Sequence, residues 1–559
     1  MTRRVRFTTR GEEVDVRVRR TARIGTLVAA LAVTAATVTG TAAAAPGSGV
    51  RAAATGSTAA VNWDACTKAE VAGVPADQVQ QYSCARYRVP IDHDDASLGT
   101  IDLALMKRAA KVPGRRIGSL FLNPGGPGGS GLGMPKRGAK YFQPQVLDRF
   151  DLIGFDPRGV GASNPLRCFT TAEDAHDVKL GQIPVPISRA EISAAMASFR
   201  DYGEFCRRNA GTLLDHMSTR DVVRDLDTLR AAVGDKQLSF AGFSYGTLIG
   251  ATYAAMFPQQ TRAIVIDGNV DPDLRTNDGV TYDIARAQGF EIALDGFLKR
   301  CAQAGKACAF GSGDPRAKFD ELRDHLRGEP ITLPGGARFD LGALTDTTSG
   351  ALYSPDRFPS LAQVLQQAYD VLHPTVQSQK QRNPDVKPLI AALRAQNTHA
   401  DTHPDSPYTA DDSYYGVNCA DKPMGIGPNQ VPGIAAKAER QSPTFGRGQV
   451  FTDIAACSTW PSAKTSDPYR GPWQAHTANP VLVVSNFYDP ATQYRFGRRM
   501  AAELGNSRLL SVDAFGHCIL GDAKGVDEAA TAYLIELKVP ADGQVFQPDT
   551  QPFGTPERT

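Results

Sequence analysis

The chain has 559 residues, which is too long for one ordinary domain, and its 42% hydrophobic content is enough for sizeable cores. A formal net charge of +2, without a basic patch that carries interleaved aromatic residues, argues against nucleic acid as a partner. No segment beyond the N-terminal region is long and apolar enough to span a bilayer, so we expect no stable membrane insertion.

Residues 1–44 have the features of a secretory signal peptide. A cluster of arginines precedes a weakly apolar run over residues 24–38, and a row of alanines then offers a small-residue cleavage site, which we place after Ala44. Residues 45–60, rich in Ala, Gly, Ser and Thr, are interpreted as a flexible lead-in or a short propeptide. The sequence therefore predicts a secreted, extracellular protein, with a retained membrane anchor as the alternative.

A predicted strand over residues 117–122 runs into a glycine-rich loop, 123–131. Glycines let the backbone approach a substrate closely and present bare N–H groups, so we expect the N–H of Gly126 to form one half of an oxyanion hole. The same glycines also spell Gly-x-Gly-x-x-Gly, with Asp151 following at the distance of a dinucleotide-binding fingerprint. Pro127, inside the motif, argues against that alternative.

A second predicted strand begins at residue 150 and ends in a turn that carries Asp156 and Arg158. Charged groups at the end of a strand can serve catalysis or structure. We interpret this pair as structural braces.

Residues 238–247 carry the most informative motif, a strand-like run that leads into Gly-x-Ser-x-Gly. An apolar segment compatible with a helix follows at 248–257. This is the pattern of a nucleophile elbow, in which the outer positions must be small because the turn is crowded. We therefore expect Ser244 to be a nucleophile and the N–H of Tyr245 to complete the oxyanion hole, with a plain turn as the alternative for the motif alone.

A strand-like run over 263–268 is separated from the next one by a long stretch with helical spacing of apolar positions, for example at 285–302 and 359–372. We interpret residues 275–475 as a mostly helical cap that covers the catalytic face, where substrate choice would be made. The predicted domains are accordingly a first part of the core at 61–274, this cap, and a second part of the core at 476–559.

The acid and the base follow two late strand-like runs. Residues 480–485 are a continuous apolar run, typical of a buried parallel strand, and Asp489 lies in the loop after it. His517 follows the next predicted strand, 507–512. The chain order Ser, Asp, His is that of α/β-hydrolases. In such a triad the imidazole takes the proton of the serine hydroxyl, and the carboxylate fixes the tautomer of the imidazole.

Three motifs together carry a resemblance to a known family: Asn-Pro-Gly-Gly-Pro-Gly-Gly-Ser-Gly, Phe-Asp-Pro-Arg-Gly-Val-Gly-x-Ser and Gly-Phe-Ser-Tyr-Gly-Thr. The chain resembles the secreted tripeptidyl aminopeptidases of actinomycetes, which are related to the proline iminopeptidases. The triad order and the long gap between nucleophile and acid predict an α/β-hydrolase fold with a cap inserted between the two. The resemblance implies a serine exopeptidase that removes short peptides from free N-termini, with Ser244, Asp489 and His517 at the triad positions.

An aminopeptidase has to recognise the ammonium group of its substrate, which requires a carboxylate or carbonyl group at a fixed distance from the nucleophile. Asp421 is the candidate, because a disulfide at Cys419 would hold it rigidly, and a solvated surface acid is the alternative. A secreted esterase or amidase of the same fold remains a second hypothesis, since the fold does not fix the substrate. A non-catalytic binding protein is a third, and the intact triad argues against it.

The sequence has nine cysteines, and in an exported protein most of them should form disulfides because the compartment is oxidising. Local pairing suggests the disulfides Cys66–Cys84, Cys168–Cys206, Cys301–Cys308 and Cys419–Cys457, although other connectivities stay open. Cys518 would then be a free thiol, either buried beneath the base or accessible to mercurials. Neither cysteines nor histidines show the pattern of a metal site, so we expect no metal and no cofactor. The sequence makes no prediction about oligomeric state.

Overall fold

The computed structural model describes residues 59–374, 385–394, 407–461 and 466–554. The predicted signal peptide, 1–44, and all but the last two residues of the predicted lead-in, 45–60, lie outside these ranges.

The strands of the described chain belong to one large sheet and one small hairpin. In chain order they are β1 (Asp64–Ala65), β2 (Tyr82–Pro90), β3 (Thr100–Arg108), β4 (Gly118–Asn123), β5 (Phe150–Phe155), β6 (Leu238–Phe243), β7 (Thr261–Asp267), β8 (Ile331–Leu333), β9 (Ala337–Phe339), β10 (Val481–Tyr488), β11 (Ser507–Phe515) and β12 (Val545–Phe546). The predicted strands at 117, 150, 238, 263, 480 and 507 are thus confirmed, each to within two residues at its start.

The large sheet has the order β1-β2-β3-β5-β4-β6-β7-β10-β11-β12. Within this order the pairs β1–β2, β2–β3 and β3–β5 are antiparallel. The remaining pairs, from β5–β4 to β11–β12, are parallel. All six residues of β4 and of β6 are buried, as expected of parallel strands that are covered on both faces. Because the central strands are parallel, the loops after β4, β6, β10 and β11 emerge at one edge of the sheet.

Apolar side chains alternate between the two faces of the sheet. Phe240 and Ile264 belong to one buried cluster, and their neighbours Ala241 and Val265 belong to another. The α-helices outside the segment between β7 and β10 are Gly138–Tyr141, Pro144–Arg149, Ala172–Leu180, Arg189–Asn209, Thr219–Ala232, Gly246–Met256, Tyr494–Leu504 and Lys524–Glu536. Thr219–Ala232 and Gly246–Met256 contribute to the first cluster, whereas Pro144–Arg149 and Lys524–Glu536 contribute to the second.

The chain between β7 and β10 is mostly helical. Its α-helices are Pro272–Asn277, Gly279–Ala304, Pro315–Gly328, Leu341–Leu352, Phe358–Leu372, Lys387–Arg394, Ser413–Asp421, Val431–Gln441, Gly446–Gln449 and Ala455–Thr459, with a π-helical turn at Val450–Ile454. The two helices predicted here, 285–302 and 359–372, are confirmed within longer ones. Phe297, Phe319 and Leu361 of this segment belong to a hydrophobic cluster separate from the two on the faces of the sheet. The α/β-hydrolase fold with a large helical insertion is therefore confirmed, while the limits 275–475 remain a prediction.

The four disulfides of the described chain are Cys66–Cys84, Cys168–Cys206, Cys301–Cys308 and Cys419–Cys457, as local pairing predicted. Cys518 is a free thiol. No helix within the described ranges combines the length and the apolarity needed to cross a membrane.

Arg158 is a structural brace, as the sequence indicated. It is fully buried, and its Nε and Nη2 donate to both carboxylate oxygens of Asp225 at 2.8 and 2.7 Å. Its guanidinium also donates to the backbone carbonyl oxygens of Pro90, Ile91 and His216. The Arg158–Asp225 ion pair thereby connects the turn after β5 to helix Thr219–Ala232.

Candidate active site

Ser244 occupies a strained turn between β6 and the helix Gly246–Met256. Its φ of +56° is unusual for a residue other than glycine. A Cβ at Gly242 would lie 2.4 Å from the carbonyl oxygen of Gly246, and one at Gly246 would lie 2.8 Å from that of Asn123. The two outer glycines are required because this turn has no room for a side chain, which is the geometry of a nucleophile elbow.

His517 and Asp489 form a hydrogen-bonded pair after β11 and β10. His517 Nδ1 lies 3.0 and 2.9 Å from the two carboxylate oxygens of Asp489. Asp489 Oδ1 also accepts from the backbone N–H groups of Ala491 and Thr492, and its Oδ2 accepts from the hydroxyl of Thr492 at 2.9 Å. These bonds hold a fully buried carboxylate in one orientation against the imidazole.

The pKa of His517 is set by two opposing effects. Burial lowers it, but the charge and the hydrogen bond of Asp489, together with the charge of Asp267, raise it by more, so the net pKa lies above the ordinary value of histidine. A carboxylate that stabilises the imidazolium in this way is what a general base in a triad requires.

Ser244 and the loop that carries His517 are connected through Asp267, the last residue of β7. Its backbone carbonyl accepts from the N–H of Ser244 at 2.9 Å and from the thiol of Cys518 at 3.4 Å. Within the described chain, the Ser244 hydroxyl and His517 make no direct hydrogen bond. Such a bond often tightens only when substrate is bound.

The side chain of Asp267 anchors the loop that carries His517. Its Oδ2 accepts from the backbone N–H groups of Ile519 and Leu520 at 2.7 and 2.8 Å, while its buried Oδ1 has no hydrogen-bond partner in the described chain. Burial raises the pKa of Asp267 to about 7. Sequence reasoning missed Asp267, and also Thr492, whose position three residues after the predicted acid was the available signal.

The glycine-rich loop lies directly against the elbow. Gly125 has a φ of +89°, and a Cβ on it would lie 2.3 Å from the carbonyl oxygen of Phe243. Gly126 and Tyr245 line the same cavity as Ser244. Neither of their N–H groups donates to another residue of the described chain, so both are available to an oxyanion there. The structure thus brings the two predicted donors together beside Ser244.

Asp156 secures the far end of this loop. Its Oδ1 accepts from the hydroxyl of Ser130 at 2.6 Å and from the N–H of Gly131 at 3.0 Å, and its Oδ2 accepts from the N–H of Ala162 at 2.8 Å. Asp156 therefore has a structural role, as the sequence indicated.

The cavity beside Ser244 is small, about 40 Å³ in volume. Its lining includes Gly126 of the glycine-rich loop and residues of the helical segment, among them Tyr353 and Tyr414. A larger and more open cavity of about 480 Å³, between Ser312 and His373, contains none of the predicted site residues.

Asp421 does not line the cavity. Its side chain is fully buried, and its two carboxylate oxygens accept from the backbone N–H and the hydroxyl of Thr219 at 2.8 and 2.6 Å. The expected contact between Asp421 and a substrate amino group therefore finds no support in the geometry. The alternative of a solvated surface acid does not describe Asp421 either.

Comparisons with known proteins agree with this architecture. A family model described as alpha/beta hydrolase fold matches residues 118–312, and one described as TAP-like protein matches 442–546. Serine protease Hip1 of Mycobacterium tuberculosis is 33% identical over 479 residues, which cover 82% of this chain and 86% of that protein.

Two further relatives are similar over most of their length. Tripeptidyl aminopeptidase of Streptomyces lividans is 28% identical, with 88% of both chains covered. Carboxylesterase B of Mycobacterium tuberculosis is 30% identical, with 86% of this chain and 88% of that protein covered. The protein therefore belongs to the tripeptidyl aminopeptidase-like family of α/β-hydrolases and is a serine hydrolase of the peptidase type.

Proposed function

We propose that the protein is a secreted serine aminopeptidase that releases short peptides, with tripeptides as the expected product, from free N-termini through an acyl-enzyme on Ser244. The observation that most directly supports this proposal is the hydrogen-bonded Asp489–His517 pair, which lies at the same edge of the sheet as Ser244 in its elbow. The names of the relatives Hip1 and tripeptidyl aminopeptidase support a peptide substrate. The four disulfides support secretion, since such bonds persist in oxidising compartments.

In this mechanism His517 takes the proton of the Ser244 hydroxyl as the serine oxygen attacks the carbonyl carbon of the scissile bond. The N–H groups of Gly126 and Tyr245 stabilise the oxyanion of the tetrahedral intermediate. His517 then gives the proton to the leaving amine, and the acyl-enzyme forms. Water, deprotonated by the same imidazole, hydrolyses the ester and frees Ser244. Asp489 stabilises the imidazolium in both halves of the reaction.

An esterase or amidase is the second candidate, and one specific observation favours it. Among the described residues, no carboxylate lines the cavity next to Ser244, where an aminopeptidase would place one to bind an ammonium group. The similarity to carboxylesterase B is consistent with this candidate.

Turnover of a matched set of chromogenic substrates separates the two candidates. The set holds the p-nitroanilides of a mono-, a di- and a tripeptide with free amines, their N-acetylated counterparts, and a simple p-nitrophenyl ester. An aminopeptidase cleaves the free-amine tripeptide and fails on its acetylated form. Equal cleavage of the two forms, with fast cleavage of the ester, would replace the aminopeptidase by the esterase. Ser244→Ala is the control for activity from contaminating enzymes.

A further inference from the structure

Arg275, in the helix Pro272–Asn277, is a buried cation without a counter-ion in contact. It is 3% exposed, and no carboxylate of the described chain lies within 4.0 Å of its guanidinium, although the charges of Asp421 and Asp283 act on it from farther away. Its hydrogen bonding to described residues is limited to Nη2, which donates to Asn418 Oδ1 at 2.7 Å, and its Nε is buried without a partner. Burying a charge in this way is costly unless something pairs with it.

Arg158 shows how this protein otherwise accommodates a buried arginine. Its guanidinium is saturated by the carboxylate of Asp225 and by three backbone carbonyl groups. Arg275 instead lies 5.5 Å from the ring centre of Tyr245 and 5.6 Å from that of Tyr282. Aromatic faces stabilise a cation but accept no strong hydrogen bond, so the N–H groups of Arg275 keep their capacity to donate.

Arg275 lines the cavity beside Ser244, and Arg286 lines it as well. Arg286 Nη1 donates to Asp453 Oδ2 at 2.7 Å, and its other N–H groups have no hydrogen-bond partner in the described chain. Asp453 is shared with Lys422, whose Nζ lies 3.2 Å from the same oxygen. Among the described residues, the charged side chains that line the cavity are thus these two arginines. The carboxylates whose charges act on them, Asp421, Asp283 and Asp453, do not line it.

We propose that this cavity is a subsite for a carboxylate of the substrate, which pairs with the guanidinium of Arg275 and is flanked by that of Arg286. The proposal rests on the proposed hydrolase chemistry at Ser244 and names its substrate class. The carboxylate has two possible sources. One is an acidic side chain on the acyl side of the scissile bond, and the other is the free α-carboxylate of a short leaving peptide.

The test compares matched neutral and acidic substrates of the full-length mature enzyme. For the acyl side, Ala-Ala-Glu-p-nitroanilide is compared with Ala-Ala-Gln-p-nitroanilide. For the leaving side, peptides of one sequence with a C-terminal carboxylate and with a C-terminal carboxamide are compared. Since hydrogen bonds to charged groups are the strong ones, we expect kcat/KM to favour the acidic member of one pair by about tenfold or more. Ratios near one in both pairs, or a preference for the neutral members, would overturn the proposal.

Substitution of Arg275 assigns the preference to this side chain. In Arg275→Gln the ratio of the two kcat/KM values should fall to about one, and this ratio does not depend on how much of the variant is folded. Arg207→Gln, at an exposed ion pair with Glu204, is the matched control and should keep the ratio of the wild type. If Arg275→Gln does not fold, the wild-type enzyme is tested for inhibition by glutarate and by its neutral diamide. Glutarate should inhibit competitively, with an inhibition constant at least about tenfold lower than that of the diamide. Equal inhibition by the two compounds would contradict the proposal.

Failure of the peptidase proposal is distinguishable from failure of this one. If the enzyme cleaves esters but no peptides, the comparison is made between 4-nitrophenyl hydrogen glutarate and the 4-nitrophenyl ester of glutaramic acid. A preference for the acidic ester supports the carboxylate subsite even though the aminopeptidase is refuted. No preference between these esters refutes the subsite as well, whereas an enzyme that cleaves peptides with no preference in either peptide pair refutes the subsite alone.

Discussion

Replacement of Gly125 by alanine should impair catalysis far more than stability. A Cβ at this position would lie 2.3 Å from the carbonyl oxygen of Phe243, whereas ordinary contacts begin at 3.4 Å, so the loop and the elbow must separate by about 1 Å. The Cβ would also lie 2.9 Å from the backbone nitrogen of Tyr245, one of the two proposed oxyanion donors. A displacement of about 1 Å at a catalytic group costs about 100-fold in rate, as does loss of one oxyanion donor.

The assay measures kcat on the p-nitroanilide or ester that the wild type cleaves, with thermal unfolding of the same sample. Gly73→Ala is the matched control, because Gly73 has nearly the same backbone angle, a φ of +83° against +89°, but no atom within 4 Å of its added Cβ. Both variants should carry the backbone strain, about 1–2 kcal/mol, and only Gly125→Ala should lose about 100-fold in kcat. A Gly125→Ala enzyme within threefold of the wild type would refute the placement of the loop against the elbow.

Three further outcomes follow from the geometry. Burial lowers the pKa of His517, but Asp489 and Asp267 together raise it by more. Because the proposed base works only when neutral, the acid limb of the kcat/KM profile should lie above the ordinary histidine pKa. Asp267→Asn should move that limb to lower pH, because it removes a carboxylate that helps to raise the pKa of His517; an unmoved limb would contradict this. Asp225→Ala should lower the free energy of unfolding in urea by about 3–5 kcal/mol, since it leaves the charge of Arg158 buried and unpaired. Asp102→Ala, at an exposed ion pair, is its control and should change that free energy by less than about 1 kcal/mol.

The elbow and the core strands could be predicted because their signals are local. Continuous apolar runs predict buried parallel strands, and the small residues at positions 242 and 246 are dictated by a turn that no side chain can enter. The carboxyl ends of parallel strands meet at one edge, so Asp489 and His517 could be placed there from their positions just after β10 and β11.

The residues that support the site could not be predicted, because their partners are distant in the sequence. Asp267 binds the N–H of Ile519, which is 252 residues away, and no local pattern reveals that bond. An aspartate such as Asp421 is expected at the surface, yet it binds Thr219, 202 residues earlier, in the interior. Arg275 likewise meets its hydrogen-bond partner, Asn418, only in the folded chain.

Covalent trapping of the nucleophile tests the central claim most directly. The purified enzyme is treated with a fluorophosphonate, which reacts with activated serines, and the modified peptide is identified by mass spectrometry. One adduct is expected, on Ser244, with loss of turnover in proportion to labelling, and neither labelling nor turnover is expected in a folded Ser244→Ala variant. An adduct on another residue, or full turnover by Ser244→Ala, would contradict the role of Ser244 as the nucleophile.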